Sequence, residues 1–398
     1  MRRLLCLLFI VLVMMNVGLA FGQEKEELES EVEERPEPGE PIRIGGLFAL
    51  SGNAMHIGVP TQNVADMVVD HINKEGGING RPVKLYMADT ESNPAKAVAA
   101  FKRLVTKDRV VAVIGPTTTG AGMACMSAIG EAKIPVVGCI GGTPFVEPVE
   151  KRYWAFKSPQ KTVTAVERIY TFLKKKGWKK VALLTASNKF GQEGEQSLTK
   201  IAPKYGIEIL GQEAFDVKSV DMSVQLSKLD KLNPDAIICW TVGPAGAKVA
   251  KNAKQIKLKA KLFQCHGQPD PIYIKLAGEA ANGTYMPSTK LMVADQLPDD
   301  DPQKSLLLKF VTEYEKERKY GEVSTHSGYA WDAMQIIAKA MGKAGTTNPQ
   351  KVRDAIEKTK GYVGVSGVYN LSSKDHCGLD KDSLVMITVE NGKWKLVD

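Results

Sequence analysis

From Pro41 to about Cys265 the chain alternates short apolar runs with stretches of helical period, and no other feature narrows the fold as much. The strand-like runs are 42–50, 83–88, 110–114 and 135–138, with helical segments at 59–74, 95–107 and 122–133 between them. After a short extended stretch at 152–158 the rhythm restarts. Helical segments at 162–176, 194–205, 222–232 and 245–256 then interleave with strands at 181–185, 207–212, 236–240 and 261–265. Regular βαβα order predicts a mostly parallel sheet covered by helices on both faces. Its repetition predicts two such Rossmann-like lobes with a cleft between them.

Beyond Tyr285 the character changes. Segments 305–319, 326–344 and 349–358 read as helices that return to the first lobe, and 383–396 reads as a hairpin around Asn391-Gly392. A chain that crosses between lobes several times makes a multi-strand hinge, which restricts motion to opening and closing. The expected boundaries are 41–158 plus 287–372 for the first lobe, and 159–286 plus 373–398 for the second.

Residues 1–22 read as a signal peptide. Met1-Arg2-Arg3 supplies positive charge, 4–19 is apolar apart from Asn16, and small residues stand at the −3 and −1 positions of a cleavage site as Gly18 and Ala20, or as Ala20 and Gly22. At 16 residues the run is shorter than the roughly 20 needed to span a bilayer, so cleavage and export to the periplasm are expected. Residues 23–40 hold nine Glu against Lys25 and Arg35, the composition of an acidic disordered leader. Outside residues 1–40 stand 49 basic and 36 acidic residues, a balance that draws anionic solutes. No regular interleaving of aromatic with basic residues accompanies the lysines along the helices, which argues against a nucleic-acid partner. Five cysteines remain (Cys125, Cys139, Cys239, Cys265, Cys377), widely spaced, and their disulfide state stays open.

In open α/β sheets ligands bind where a strand's carboxyl end feeds a helix N-terminus. Gly115–Gly120 is such a junction, and Thr117 and Thr119 offer hydroxyls beside free amides that favour an anion. Two readings of these threonines stay open, helix N-cap or ligand contact. The spacing approaches a phosphate loop, but Ala121-Gly122 stands where Lys-Ser/Thr would be needed, so no nucleotide is expected. Gly141 and Thr143 follow the next strand, and Ser51 follows the first. The second lobe places Phe190, Trp240 and His266 at matching junctions. No metal, cofactor or catalytic constellation is expected: the chain lacks His-Glu-x-x-His, Gly-x-Ser-x-Gly and a strand-borne Gly-x-Gly-x-x-Gly.

An ordered series of segments resembles one known family. It comprises Arg43 to Gly52, Asp70 to Val83 with Gly76-Gly77-Ile78-Asn79-Gly80-Arg81-Pro82, Asp89 with Pro94, and Val113-Ile114-Gly115-Pro116. It continues with Lys133-Ile134-Pro135, Phe190-Gly191, Pro234-Asp235-Ala236, Gly243-Pro244 and Leu276-Ala277-Gly278-Glu279. These resemble periplasmic solute-binding proteins of branched-chain (hydrophobic) amino acid ABC importers, with the type I periplasmic-binding fold. The resemblance implies a monomeric, non-enzymatic clamp that closes on a small carboxylate or amino acid and delivers it to an inner-membrane ABC permease. It implies a carboxylate held at Thr119 and the Gly141–Thr143 loop, with Phe190 covering the ligand. Where the family's amino-acid binders carry an acid for the ligand ammonium, this chain carries His266. That departure points to an acid or amide without the α-amino group, unless Asp270 supplies the charge. A ligand-sensing receptor module on the same fold, and a secreted α/β enzyme, are the competing readings.

Overall fold

The computed structural model describes residues 39–397; the expected signal peptide and all of the acidic leader before Gly39 lie outside them. Strand β1 (Ile42–Phe48) lies inside the first sheet, flanked by β2 (Val83–Asp89) and β3 (Ala112–Ile114). β4 (Val136–Gly138) and β5 (Ala155–Lys157) complete the parallel order β2-β1-β3-β4-β5. Helices α1 (Met55–Lys74), α2 (Pro94–Thr106) and α3 (Thr119–Ala132) make the crossovers.

The second sheet repeats the design. β6 (Lys180–Ala186), β7 (Glu208–Phe215), β8 (Ala236–Trp240), β9 (Lys261–Gln264) and β10 (Tyr285–Thr289) run parallel in the order β7-β6-β8-β9-β10. The hairpin β13 (Leu384–Glu390) and β14 (Lys393–Leu396) adds on antiparallel, turning at Asn391 and Gly392, both at positive φ. The helices are α4 (Thr162–Lys176), α5 (Lys189–Tyr205), α6 (Ser223–Asp230), α7 (Pro244–Gln255) and α8 (Pro271–Ala277).

Period-two burial explains why each sheet is covered twice. Ala182, Leu184 and Ala186 of β6 enter one apolar cluster, while Val181 and Leu183 enter another on the opposite face. The chain crosses between lobes after β5, after β10, and between Leu379, packed in the first core, and Leu384, packed in the second. Between the last two crossings, α9 (Lys304–Thr312), α10 (Thr325–Ala344) and α11 (Pro349–Glu357) pack on the first lobe, α10 against α1. A short ladder of β11 (Tyr362–Val363) with β12 (Val368–Tyr369) follows.

The five cysteines are buried free thiols. Among the described residues, no helix is long and apolar enough to cross a membrane.

Candidate functional site

Both sheets reverse strand order once, between β1 and β3 and between β6 and β8. Such switch points leave a crevice beyond the strand ends. Here the two crevices face each other and enclose a cavity of about 510 Å³. The lobes also touch beside it: Val242, after β8, packs on Ala49, Ala54 and Ile57 of the first lobe.

The rim of the first lobe is built by α3. Thr118, not Thr117 or Thr119, is the N-cap, its Oγ1 accepting from the Ala121 amide at 3.3 Å. Thr117 Oγ1 accepts from the Ala49 amide, which leaves its own proton to donate. Thr119 opens the helix and is 6 % exposed. Both threonines line the cavity. The amides of the first turn lack helical partners and carry the positive end of the dipole, so the rim suits a carboxylate.

Gly141 closes the seat from the other side. A Cβ built there would lie 3.0 Å from both Phe190 Cε2 and His266 Nε2, which belong to the opposite lobe. At Gly142 it would meet Thr119 Cγ2 at 2.6 Å. A larger residue at Gly142 would force Thr119 to shift, and one at Gly141 would require Phe190 and His266 to give way by a few tenths of an ångström. Beneath this loop sits Lys157, 0 % exposed, donating to the carbonyls of Gly141 (2.6 Å) and Gln160 (3.0 Å). Burial pushes its ammonium down to about 8.

In the second lobe Asn188 caps α5, its Oδ1 accepting from the Gly191 amide at 2.9 Å. Phe190 therefore stands in the first turn of a helix, on the cavity wall. Its ring lies 6.0 Å from Trp240 and 5.9 Å from His266. Burial pushes the His266 imidazole down to about 3, with Lys157 adding to the effect.

The cavity thus gathers Thr117, Thr119, Gly141, Phe190 and His266, while three other expected contacts lie off its wall. Ser51 is turned to the end of β2, its Oγ donating to Asp89 at 2.6 Å. Thr143 opens a 3₁₀ turn, gives its amide to Glu193, and borders a second groove. Trp240 is a core side chain; the space beside α5 exists because a Cβ on Gly194 would fall 2.2 Å from its ring. Asp270 is the N-cap of α8, accepting from the Ile272 amide, and it too is absent from the wall. No Asp or Glu lines the cavity among the described residues.

The sequence reading missed His56, His326 and Tyr329, which all line the cavity. His56 lies one residue inside α1 and His326 one residue inside α10. Neither stands where the sequence marks a strand-to-helix junction: α1 begins earlier than its apolar period suggests, and α10 follows coil. Among the described residues no three His, Cys, Asp or Glu stand close enough to hold a metal ion.

The profile of the family described as "Periplasmic binding protein" matches residues 41–393, and the chain belongs to that family. Its fold is the type I periplasmic-binding fold of the branched-chain amino acid binders. It is 22 % identical to the Leu/Ile/Val-binding protein homolog 1 of Brucella suis, over 83 % of this chain and 85 % of the relative. Among solved structures, an extracellular ligand-binding receptor from Rhodopseudomonas palustris HaA2 superposes with a TM-score of 0.83 at 27 % identity, covering 90 % of this chain and all of that one. The substrate-binding protein LivJ of Streptococcus pneumoniae, determined with isoleucine, gives 0.78 at 24 % identity, over 90 % of this chain and 99 % of that one.

Proposed function

We propose that this chain is the exported, periplasmic solute-binding component of an ABC importer. It works as a monomer that closes on a small acid and presents the closed form to a permease. The observation that carries the reading is the wall of the cleft: helix-start amides and Thr117/Thr119 hydroxyls on one side, Phe190 and His266 on the other, and no carboxylate between them.

A carboxylate at the α3 N-terminus gains charge-assisted hydrogen bonds of about 1.5–3 kcal/mol each. Phe190, Val242 and Ile57 give its apolar body a dry surface. Micromolar affinity asks for about −8 kcal/mol, within reach of two such bonds and one buried ring. No covalent step is needed. Ligand that spans both lobes stabilises the closed arrangement more than the open one, and that difference drives closure.

An α-ammonium has no acid to meet here, and a buried ammonium without a counter-charge is costly. The proposed solute is therefore a branched or aromatic acid, or an amide, rather than leucine itself. A thermal-shift screen of amino acids, aromatic acids and short amides, followed by calorimetry with leucine and benzoate, tests this. Acids are expected to raise the melting temperature by mass action. Tight leucine binding rejects the amine-free ligand, and chemical turnover of a bound acid rejects the transport reading.

A further inference from the structure

The cleft carries more hydrogen-bonding capacity than a carboxylate seat uses. His266 is 1 % exposed, and neither ring nitrogen has a hydrogen-bond partner. His326 is 5 % exposed with Nε2 unpartnered, and His56 Nε2 is likewise buried and unpartnered. All three imidazoles line the one cavity. They come from separate elements: the first turns of α1 and α10, and the loop after β9. The His56 and His326 rings stand edge to face with centroids 6.3 Å apart. Buried polar atoms are almost always paired, so unpaired nitrogens from three elements around one cavity point to a group that the ligand brings.

Building on the acid-binding reading above, we infer that the solute is a 2-hydroxy acid with an apolar, ring-sized body, its hydroxyl held by His266 and the adjoining imidazoles. The position follows from Gly141. The loop that borders the carboxylate seat lies against His266 Nε2, with a Cβ at Gly141 only 3.0 Å away. The imidazole is thereby placed beside the carbon next to the carboxylate.

The group follows from donor and acceptor matching. A neutral imidazole offers one N–H and one lone pair, and a hydroxyl answers either, so it suits the nitrogen that faces it whichever tautomer is present. An ammonium donates only and brings a charge that no acid on the wall balances. A bare methylene leaves the nitrogens unmatched. Burial holds His266 and His326 near 3, and both are neutral at neutral pH. The body follows from Phe190, Ile57, Val242, Ala245 and Tyr329 around a space of about 510 Å³, ample for an aryl ring.

Three probes that differ only in the group on the 2-carbon (hydroxyl, hydrogen, ammonium) decide the matter: 2-hydroxy-3-phenylpropanoate, 3-phenylpropanoate and phenylalanine, titrated calorimetrically into the full-length mature protein. The hydroxy acid is expected to bind about tenfold more tightly than 3-phenylpropanoate, the worth of one or two neutral hydrogen bonds, with phenylalanine weakest. In His266→Phe, which keeps a ring but loses both nitrogens, the ratio of the two acids should fall towards one. In His266→Glu the order should turn towards phenylalanine.

Equal affinity of the two acids overturns the hydroxyl while leaving acid binding intact. Phenylalanine binding tightest overturns both readings. No response to any of the three overturns the aryl 2-hydroxy acid as the solute class. Because each ratio is taken within one protein, a variant of lower stability still reports.

Discussion

Gly141 shows how little room separates a binding seat from a blocked one. Its φ is not in the left-handed region, so a larger residue meets its neighbours rather than its own backbone. Gly141→Val should push against Phe190 and His266 in the closed cleft and weaken ligand binding tenfold or more by calorimetry, with little change in melting temperature without ligand. The imidazoles make a second prediction. An unfolded histidine titrates near 6.5, whereas burial, with His56 and His266 adding, holds His326 near 3 in the fold. The unfolded chain therefore binds the proton first, and stability falls as pH drops from 6.5 towards 3. Asp270 and Asp332, which burial pushes up to about 6, act in the opposite sense. A difference measurement removes them: His326→Phe should gain on the parent in melting temperature as pH falls from 6.5 to 4, and parallel pH profiles would count against a buried neutral imidazole. Of the residues, Thr119, Gly141, Phe190 and His266 were legible because each follows a strand end. Trp240 follows the same rule, yet Gly194 opens a core slot for it, and that fit is a matter of tertiary packing.

Elements were legible where apolar period and punctuation agree. α4 spans the expected 162–176, and the final hairpin turns at the expected Asn391-Gly392. α5 begins five residues before its expected start. Gly191 reads as loop and Gly194 as the helix start, but each is small because something presses on the helix: Ala186 O would sit 1.9 Å from a Cβ at Gly191, and Trp240 fills the space at Gly194. The turn between β11 and β12 likewise owes its place to a distant residue. Asp332 of α10 accepts from the amides of Val365 (2.8 Å) and Ser366 (2.7 Å) and from Tyr369 Oη (3.0 Å), all buried. Asp332→Ala leaves the Val365 and Ser366 amides without a partner, while Tyr369 Oη keeps the Ser158 carbonyl, and should lower stability by about 3 kcal/mol in denaturant unfolding. A loss under about 1 kcal/mol would show that this tie does not hold α10 to the β11–β12 ladder.

At the scale of the whole molecule, closure is written into contacts that do not involve solute. Glu193 of α5 accepts from the Thr143 amide (3.3 Å) in the first lobe and from Thr162 Oγ1 at the start of α4. Burial pushes its carboxyl up, against those hydrogen bonds and the nearby Lys157. Glu193→Ala removes a bridge made when the lobes meet, so it should weaken ligand affinity several-fold and increase the radius of gyration in small-angle scattering at subsaturating ligand. Unchanged affinity and scattering would mean that the bridge does not favour closure. Capture by closure requires the carboxylate to lie at the start of α3. A crystal structure with the tightest acid from the screen should place one carboxylate oxygen within hydrogen-bonding distance of Thr119 and the first amides of α3, with Phe190 over the apolar body. Lys189 and Lys218 also line the cavity, and a carboxylate directed at either of them instead, or a ligand outside the cleft between the lobes, would contradict it.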